Sequence, residues 1–469
     1  MASVKNLISQ TAIYGISATI GKFINFLLTP YLTRLMSEGV YGEYNYLYSL
    51  IPFANVLLTM GMTTGFFRYV GQAPSDAQKR KLFMTLWLSI SLLSLLFCSV
   101  GAAIVGGGIW LTVFGLVFVD NVAALPLSSL RAEGRAVYYT VVNVTSILVN
   151  VGLCVAFYTL IPGAAATPFW AVAANLVASV VMLLMLMPAV SRFFAWTFSV
   201  DVLRAVARYS LPLMAAGLLG VSSEFIDRQM LVWLAPPGSG FDEVGLYGSV
   251  AKLASLMIIF RQMYSLGAEP FFLQKFSKSD FERLNSVSLK YFIIAGLFIF
   301  LGITLFPDVF GLILGARFRV GLGILPLLLA ANLFSGILIN LSFWYKVADM
   351  TRIAFWVTLS SLVITVAMNW LLIPLIGYQG SAWARFCATA ATVVICWALG
   401  QKYYPIKYDL PRIGFYFLVA GSIFALSYLT AQSATLWRWS ANFLLLLSFV
   451  YIVNKKEKLW SPRKSLLSK

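Results

Sequence analysis

The sequence predicts an all-α integral membrane protein of about fourteen transmembrane helices. These form two six-helix lobes related by a parallel internal repeat, plus two extra C-terminal helices. Three observations predict it. Of the 469 residues, 60% are hydrophobic and only 11% charged, against roughly a quarter charged in an ordinary soluble domain. Apolar stretches long enough to cross a bilayer, about 20 residues each, recur along the whole chain. A segment of the first half returns in the second. Fourteen spans would use about 290 residues, which leaves no room for a soluble catalytic domain.

In chain order the spans run approximately from 11 to 33, 44 to 67, 82 to 105, 109 to 130, 138 to 160, 168 to 188, 210 to 234, 245 to 265, 290 to 306, 322 to 344, 353 to 375, 380 to 400, 413 to 430 and 437 to 453. The first follows Lys5 without a small-residue cleavage pattern and is longer than a signal-peptide core, so it is read as retained. The second carries Gly61 and Gly65, a small-xxx-small pair that suits close helix packing. Between the sixth and seventh, residues 189 to 209 mix Phe193, Phe194, Trp196 and Phe198 with Arg192, Arg204 and Arg208. That mixture fits either an amphipathic linker at the cytoplasmic interface or an ordinary basic loop. The ninth span is only about 17 residues long, at the lower limit for a crossing. Prolines 30, 52, 126, 212, 270, 326 and 374 fall in or at the ends of spans, where they free backbone carbonyls.

The 34 basic residues outnumber the 17 acidic ones, for a net charge of +17. With the N-terminus in the cytoplasm, 26 of them, Lys290 included, fall in cytoplasmic segments, as the positive-inside rule requires. Outside loops hold only Arg34, Arg317, Arg319 and Arg438, and Lys22, Arg228, Lys252 and Arg385 fall within spans. A miscounted helix would scramble this alternation, so it supports an even number of spans and two cytoplasmic termini. The excess positive charge therefore reads as membrane topology and not as nucleic-acid binding. Histidine is absent, which removes the commonest general base and the commonest zinc ligand. Cys98, Cys154, Cys387 and Cys396 all lie in apolar runs, so no disulfide framework or metal site is expected. No cofactor is implied. The glycine-containing string GISATIGKF from Gly15 lacks phosphate-loop spacing and lies within a span.

The repeat is carried by GVYGEYNYLYSL from Gly39 and GLYGSVAKLASL from Gly245. Gly39, Tyr41, Gly42, Leu47, Ser49 and Leu50 recur as Gly245, Tyr247, Gly248, Leu253, Ser255 and Leu256. Six spans separate the copies, so both halves cross in the same sense, as in transporters built from parallel repeats. This divides the chain into an N-lobe at 1–208, a C-lobe at 209–400, and a pair of added helices with a basic tail at 401–469.

The sequence resembles the polysaccharide transporter branch of the multidrug/oligosaccharidyl-lipid/polysaccharide superfamily, the Wzx-type flippases of lipid-linked oligosaccharides. The residues that carry the resemblance are the two glycine segments and NWLLIPLIGYQGSAWA from Asn369 to Ala384. NLSFWYKVADMTR from Asn340 also looks like the tenth loop of lipopolysaccharide flippases. It covers essentially the whole chain as a diffuse pattern of turns and helix lengths. It implies two lobes around a polar cavity and a multi-pass protein of the bacterial inner membrane. The expected partner is an undecaprenyl-pyrophosphate-linked oligosaccharide of surface polysaccharide synthesis, beside membrane lipids and other proteins of that assembly pathway. Two alternatives are a drug or cation antiporter of the same superfamily, which would favour twelve helices and an acidic cavity, and a membrane-embedded polymerase or glycosyltransferase. The latter would need a sizeable external loop, whereas the longest here, around 307 to 321, holds one acid, Asp308.

Charges within spans are costly and point to function by default. Lys22, Arg228 and Lys252 are the expected cavity cations for the pyrophosphate, with Arg34 and Arg68 near the mouths. Fixed cations would replace the hydration that such an anion loses in a site of reduced dielectric. Asp120, Glu224 and Asp227 are the carboxylates that could couple a proton or a sodium ion. A structural reading stands beside each of these. Glu224 and Arg228, four apart, could satisfy each other; Lys252 could snorkel to the outer surface; Arg34, Arg68 and Arg385 could be interface anchors.

Overall fold

The computed structural model describes residue 24 and residues 26–272, 277–350, 352–430 and 435–458. Among them the chain is helical almost throughout and contains no strand. A first helix, α1, is seen over residues 26–35, followed by α2 (Glu38–Thr59), α3 (Met62–Val70), α4 (Asp76–Val105), α5 (Gly108–Ala132), α6 (Ala136–Leu160), α7 (Phe169–Phe193) and α8 (Val200–Leu234). The second half holds α9 (Gly240–Phe272), α10 (Lys278–Thr304), short α11 (Pro307–Gly311), α12 (Leu325–Leu341), short α13 (Phe343–Val347), α14 (Arg352–Tyr403), α15 (Leu410–Ser427) and α16 (Thr435–Glu457).

Eleven helices among the described residues are long and apolar enough to cross a membrane, or twelve when the bent pair α2 and α3 is taken as one span. The 52-residue α14 would be about 78 Å long if straight, more than twice a bilayer core of about 30 Å. It is in fact broken at Ile376 and Gly377 (φ 57°, ψ −136°), so it supplies two crossings. That makes thirteen crossings among the described residues; α1 is the described end of the predicted first span, most of which lies outside them.

Three element boundaries differ from the sequence expectation, each for a local reason. The second span bends by 45° at Met60 and Gly61, both in left-handed backbone (φ 49° and 66°). Gly61 and Gly65 both approach Ser210 on α8, and a Cβ on either would crowd it. The ninth span starts at Lys278 and not near 290, because Ser277 caps the helix through the Asp280 amide and the polar first turns continue the apolar run. The seventh starts at Val200, ten residues early. The link before it shrinks to residues 194–199, where Trp196 is 87% exposed and Phe194 and Phe198 stand out beside it.

The chain clusters into two compact units. The first comprises Met1–Ser249 with Thr358–Ala384, the second Val250–Val357 with Arg385–Lys469. In the first, α5 is the hub, packed on α4, α6 and α7, while α2 lies against α8. Its apolar core includes Phe66, Phe83, Leu86 and Ile90 at one end, and Leu47, Leu116, Val117 and Val172 between α2, α5 and α7. In the second, α10 packs against α12, α15 and α16. A buried charge cluster joins them: Lys290 Nζ meets Glu457 Oε2 at 2.6 Å, and the Tyr416 hydroxyl donates to Glu457 Oε1 at 2.8 Å. Lys290, expected in a cytoplasmic loop, thus sits on a helix where an acid 167 positions away neutralises it. Cys98, Cys154, Cys387 and Cys396 are free thiols, all but Cys387 buried.

The break in α14 gives a direct prediction. Glu243 on α9 accepts the Tyr378 amide at 2.5 Å, and a Cβ on Gly377 would collide with that carboxylate. Gly377→Ala is therefore expected to destabilise the folded protein by about 1–3 kcal/mol, since it combines an unfavourable backbone region with the loss of a cap. Thermal unfolding in detergent measures this. An unchanged midpoint would mean that the break does not need glycine.

Candidate functional site

The charged residues of α8 lie where the two copies of the repeat meet. Ser37 caps α2 through the Val40 amide, and the turns that follow carry Gly39 and Gly42. On α9 the matching turns carry Gly245 and Gly248. With no side chains in the way, the helices approach backbone to backbone. A Cβ on Gly42 would strike the Phe241 carbonyl, one on Gly245 would strike the Glu38 carbonyl, and one on Gly248 would meet the Asn45 amide. Close approach of this kind is how helices associate in lipid, where dispersion and hydrogen bonds replace the hydrophobic effect. The repeat seen in the sequence is thus a physical contact, made within the first compact unit.

Beside this crossing lies a polar cluster from α2, α8 and α9. Gln229 donates to Ser49 Oγ at 2.6 Å, with both residues buried. Asp227, 2% exposed, accepts the Tyr247 hydroxyl at 2.5 Å on one oxygen and pairs with Arg228 Nη1 at 3.2 Å on the other. The guanidinium lies 5.2 Å from the Phe225 ring centre and 5.8 Å from that of Tyr247, within cation–π range. Its partner is Asp227, the adjacent residue, where the sequence suggested Glu224; from Glu224 it takes the backbone carbonyl, at 3.4 Å. Among the described residues its side-chain hydrogen bonds all run through Nη1. The Arg228 side chain is 14% exposed, that of Asp227 3%.

The other predicted site residues fall elsewhere. Asp120, midway along α5, accepts the Ser179 hydroxyl at 2.6 Å, next to an Asn121–Asn55 side-chain bond at 3.1 Å. Arg34 is exposed at the end of α1. Arg68, exposed on the last turn of α3, covers the Tyr209 ring at 4.3 Å. Lys252 is half-buried on α9 in the second unit. Lys22 lies outside the described residues. The site brings together Asp227, Arg228 and Glu224 from the predicted set.

With this geometry in hand, comparison with known proteins is informative. Residues 7–265, more than half of the chain, match a family described as "Polysaccharide biosynthesis protein". The chain belongs to that family. One curated relative, an uncharacterised membrane protein of Haemophilus influenzae, is 26% identical over 153 residues, 32% of this chain. The match spans 37% of that relative's length. Among solved structures, the fold is similar to "Lipid II flippase MurJ, inward closed conformation", with a TM-score of 0.75 at 12% identity, covering 95% of this chain and all of that one. It is also similar to a multidrug resistance MATE family transporter of the MOP superfamily in an inward-facing conformation, with a TM-score of 0.58 at 16% identity, covering 84% of this chain and 94% of that one. At those identities the likeness is one of fold. This polysaccharide biosynthesis family protein is therefore a multi-pass helical membrane protein whose fold is similar to those of these two solved structures.

Sequence reasoning about this family member missed three of the site's residues. Tyr247 and Ser49 were visible only as repeat positions, and Gln229 was not marked at all. Gln229 and Ser49 stand 180 positions apart. A polar pair of that separation leaves no local signal, although a glutamine next to an intramembrane Asp-Arg pair could have flagged it.

Proposed function

We propose that this protein is a flippase that moves undecaprenyl-pyrophosphate-linked oligosaccharide repeat units across the bacterial inner membrane by alternating access. In this reading it serves lipopolysaccharide or other surface polysaccharide synthesis and has both termini in the cytoplasm. The N-lobe at 1–208 and the C-lobe at 209–400 move against each other, and the helices at 401–469 are an addition. The observation that carries the proposal is Arg228, which is tethered to a buried carboxylate through one nitrogen while its side chain remains partly exposed. Asp227 and the flanking rings hold the guanidinium in place, and its planar fork then suits bidentate contact with a phosphate. Lys22, Lys252, Arg34 and Arg68 supply further positive charge along the route.

Coupling to a proton or a sodium ion is assigned to Asp120. Asp227 already holds Arg228 and the Tyr247 hydroxyl, and Glu224 is exposed, so these two are weaker candidates. Among the described residues Asp120 takes one hydroxyl donor, Ser179, a small set of partners that an ion could join.

The test is a reconstituted flipping assay with a defined lipid-linked oligosaccharide, run with and without an imposed proton or sodium gradient, beside a deletion strain. The expected result is transport in proteoliposomes, and a deletion strain in which finished lipid-linked repeat units remain on the cytoplasmic face. Normal surface polysaccharide in a deletion strain that lacks a second transporter would remove the proposal.

A further inference from the structure

Away from the α8 cluster, the second unit carries a groove of about 480 Å³ between α10 and α16. Ile294, Ala295 and Phe298 line one wall, Phe449, Val450 and Val453 the other. The α10 positions recur at three and four residues, so they form one stripe on the helix. From Tyr291 to Ile299, both on the groove wall, that stripe rises about 12 Å, close to the depth of one leaflet of a hydrocarbon core of about 30 Å.

The two ends of the groove differ in chemistry. Its lining is apolar except at one end, where Tyr291 and Asn454 stand. The adjoining residues are Lys290, Lys455 and Lys456. Lys455 and Lys456 are exposed, and Lys456 Nζ lies 3.5 Å from the Phe415 ring centre. Arg412 reaches the same cluster, 3.8 Å from Glu457, with its side chain 52% exposed. Glu457 and Asp409 are the acids there, against four cations, so this end is net positive. By the charge topology of the sequence it is the cytoplasmic end.

We propose that this groove is a binding site for an anionic phospholipid of the cytoplasmic leaflet, with one acyl chain along the α10 stripe and the phosphate among Lys455, Lys456 and Arg412. Length, apolarity and a cationic cap at one end match such a lipid. A longer polyprenyl chain would overrun the stripe, and a zwitterionic headgroup would leave the positive end without a counter-charge. Lys290 takes no direct part, because Glu457 neutralises it at 2.6 Å.

The test is native mass spectrometry of the full-length protein in detergent, titrated with phosphatidylglycerol, phosphatidylcholine or undecaprenyl phosphate. Wild type is expected to bind phosphatidylglycerol at least tenfold more tightly than phosphatidylcholine. Ala295→Trp, which fills the groove, should weaken both. Lys455→Gln with Lys456→Gln should remove most of the preference and leave phosphatidylcholine binding unchanged. Thermal unfolding of each variant checks that it is folded. Equal affinity for the two phospholipids, or a groove-filled variant that binds like wild type, would overturn the site. So would displacement of phosphatidylglycerol by an equimolar amount of undecaprenyl phosphate, which would assign the groove to the polyprenyl chain. Flipping is not measured here, so this outcome is independent of the transport proposal.

Discussion

Arg228→Ala is expected to abolish flipping of the lipid-linked oligosaccharide, whereas Arg385→Ala retains it. The single substitution also leaves the Asp227 carboxylate, 2% exposed, without its cation. Breaking one side of a buried pair costs about 3 kcal/mol or more, and the partial exposure of Arg228 places this case at the low end. Lost transport could therefore reflect lost protein, and a second variant separates the two effects. Asp227→Asn combined with Arg228→Ala removes both charges and keeps an acceptor for the Tyr247 hydroxyl, so thermal stability should return towards the wild-type value. If Arg228 receives the pyrophosphate, flipping stays absent in this stable double variant. Recovery of flipping there would show that the arginine serves only to neutralise the aspartate, and the proposed anion site would be abandoned.

Gly42→Leu is expected to have the second large effect. A Cβ at Gly42 would strike the Phe241 carbonyl, so a leucine forces α2 and α9 apart at the end read as external. Overpacking of this kind costs about 1–3 kcal/mol, and the same free energy shifts a two-state equilibrium by about 5- to 150-fold. In alternating access the shift favours the outward-open state. The measurement is the rate at which an impermeant thiol reagent, added from outside, labels Ser49→Cys in a background lacking Cys98, Cys154, Cys387 and Cys396. Ser49 is 1% exposed and bonded to Gln229, so labelling should be slow in the parent and at least fivefold faster with Gly42→Leu. Gly42→Ala should fall between. Identical rates in all three would show that the crossing of the two repeat copies is not an outer closure.

Both predictions rest on features of different legibility. The glycines were visible as a pattern, because a duplicated segment preserves residue types at a fixed offset. That Gly42 and Gly245 touch was not visible, since an offset records common descent and not proximity. Arg228 was legible as a costly charge in a span. Its partner was not, because Asp227 and Glu224 are both within reach of a flexible arginine on one helix, and packing chose between them. Tyr247 on α9 accepts this choice by donating to the second Asp227 oxygen at 2.5 Å. Lys290 shows the limit from the other side. Placed outside the membrane by its charge, it lies on α10, where Glu457 on α16 meets it at 2.6 Å.

The sequence by itself determined that this is a many-helix membrane protein, roughly where its spans lie, and that a segment of its first half recurs in its second. Those properties follow from local chemistry. A bilayer demands about 20 apolar residues per crossing and keeps basic loops on one side, and each demand is met within a short stretch of chain. Only the tertiary structure decided which polar groups satisfy one another, where the second and eleventh spans bend or end, and which glycines lie at a helix crossing. Such pairings depend on which helices become neighbours. In a nearly uniform apolar sequence many arrangements bury similar area, so backbone contacts and hydrogen bonds between distant residues make the selection.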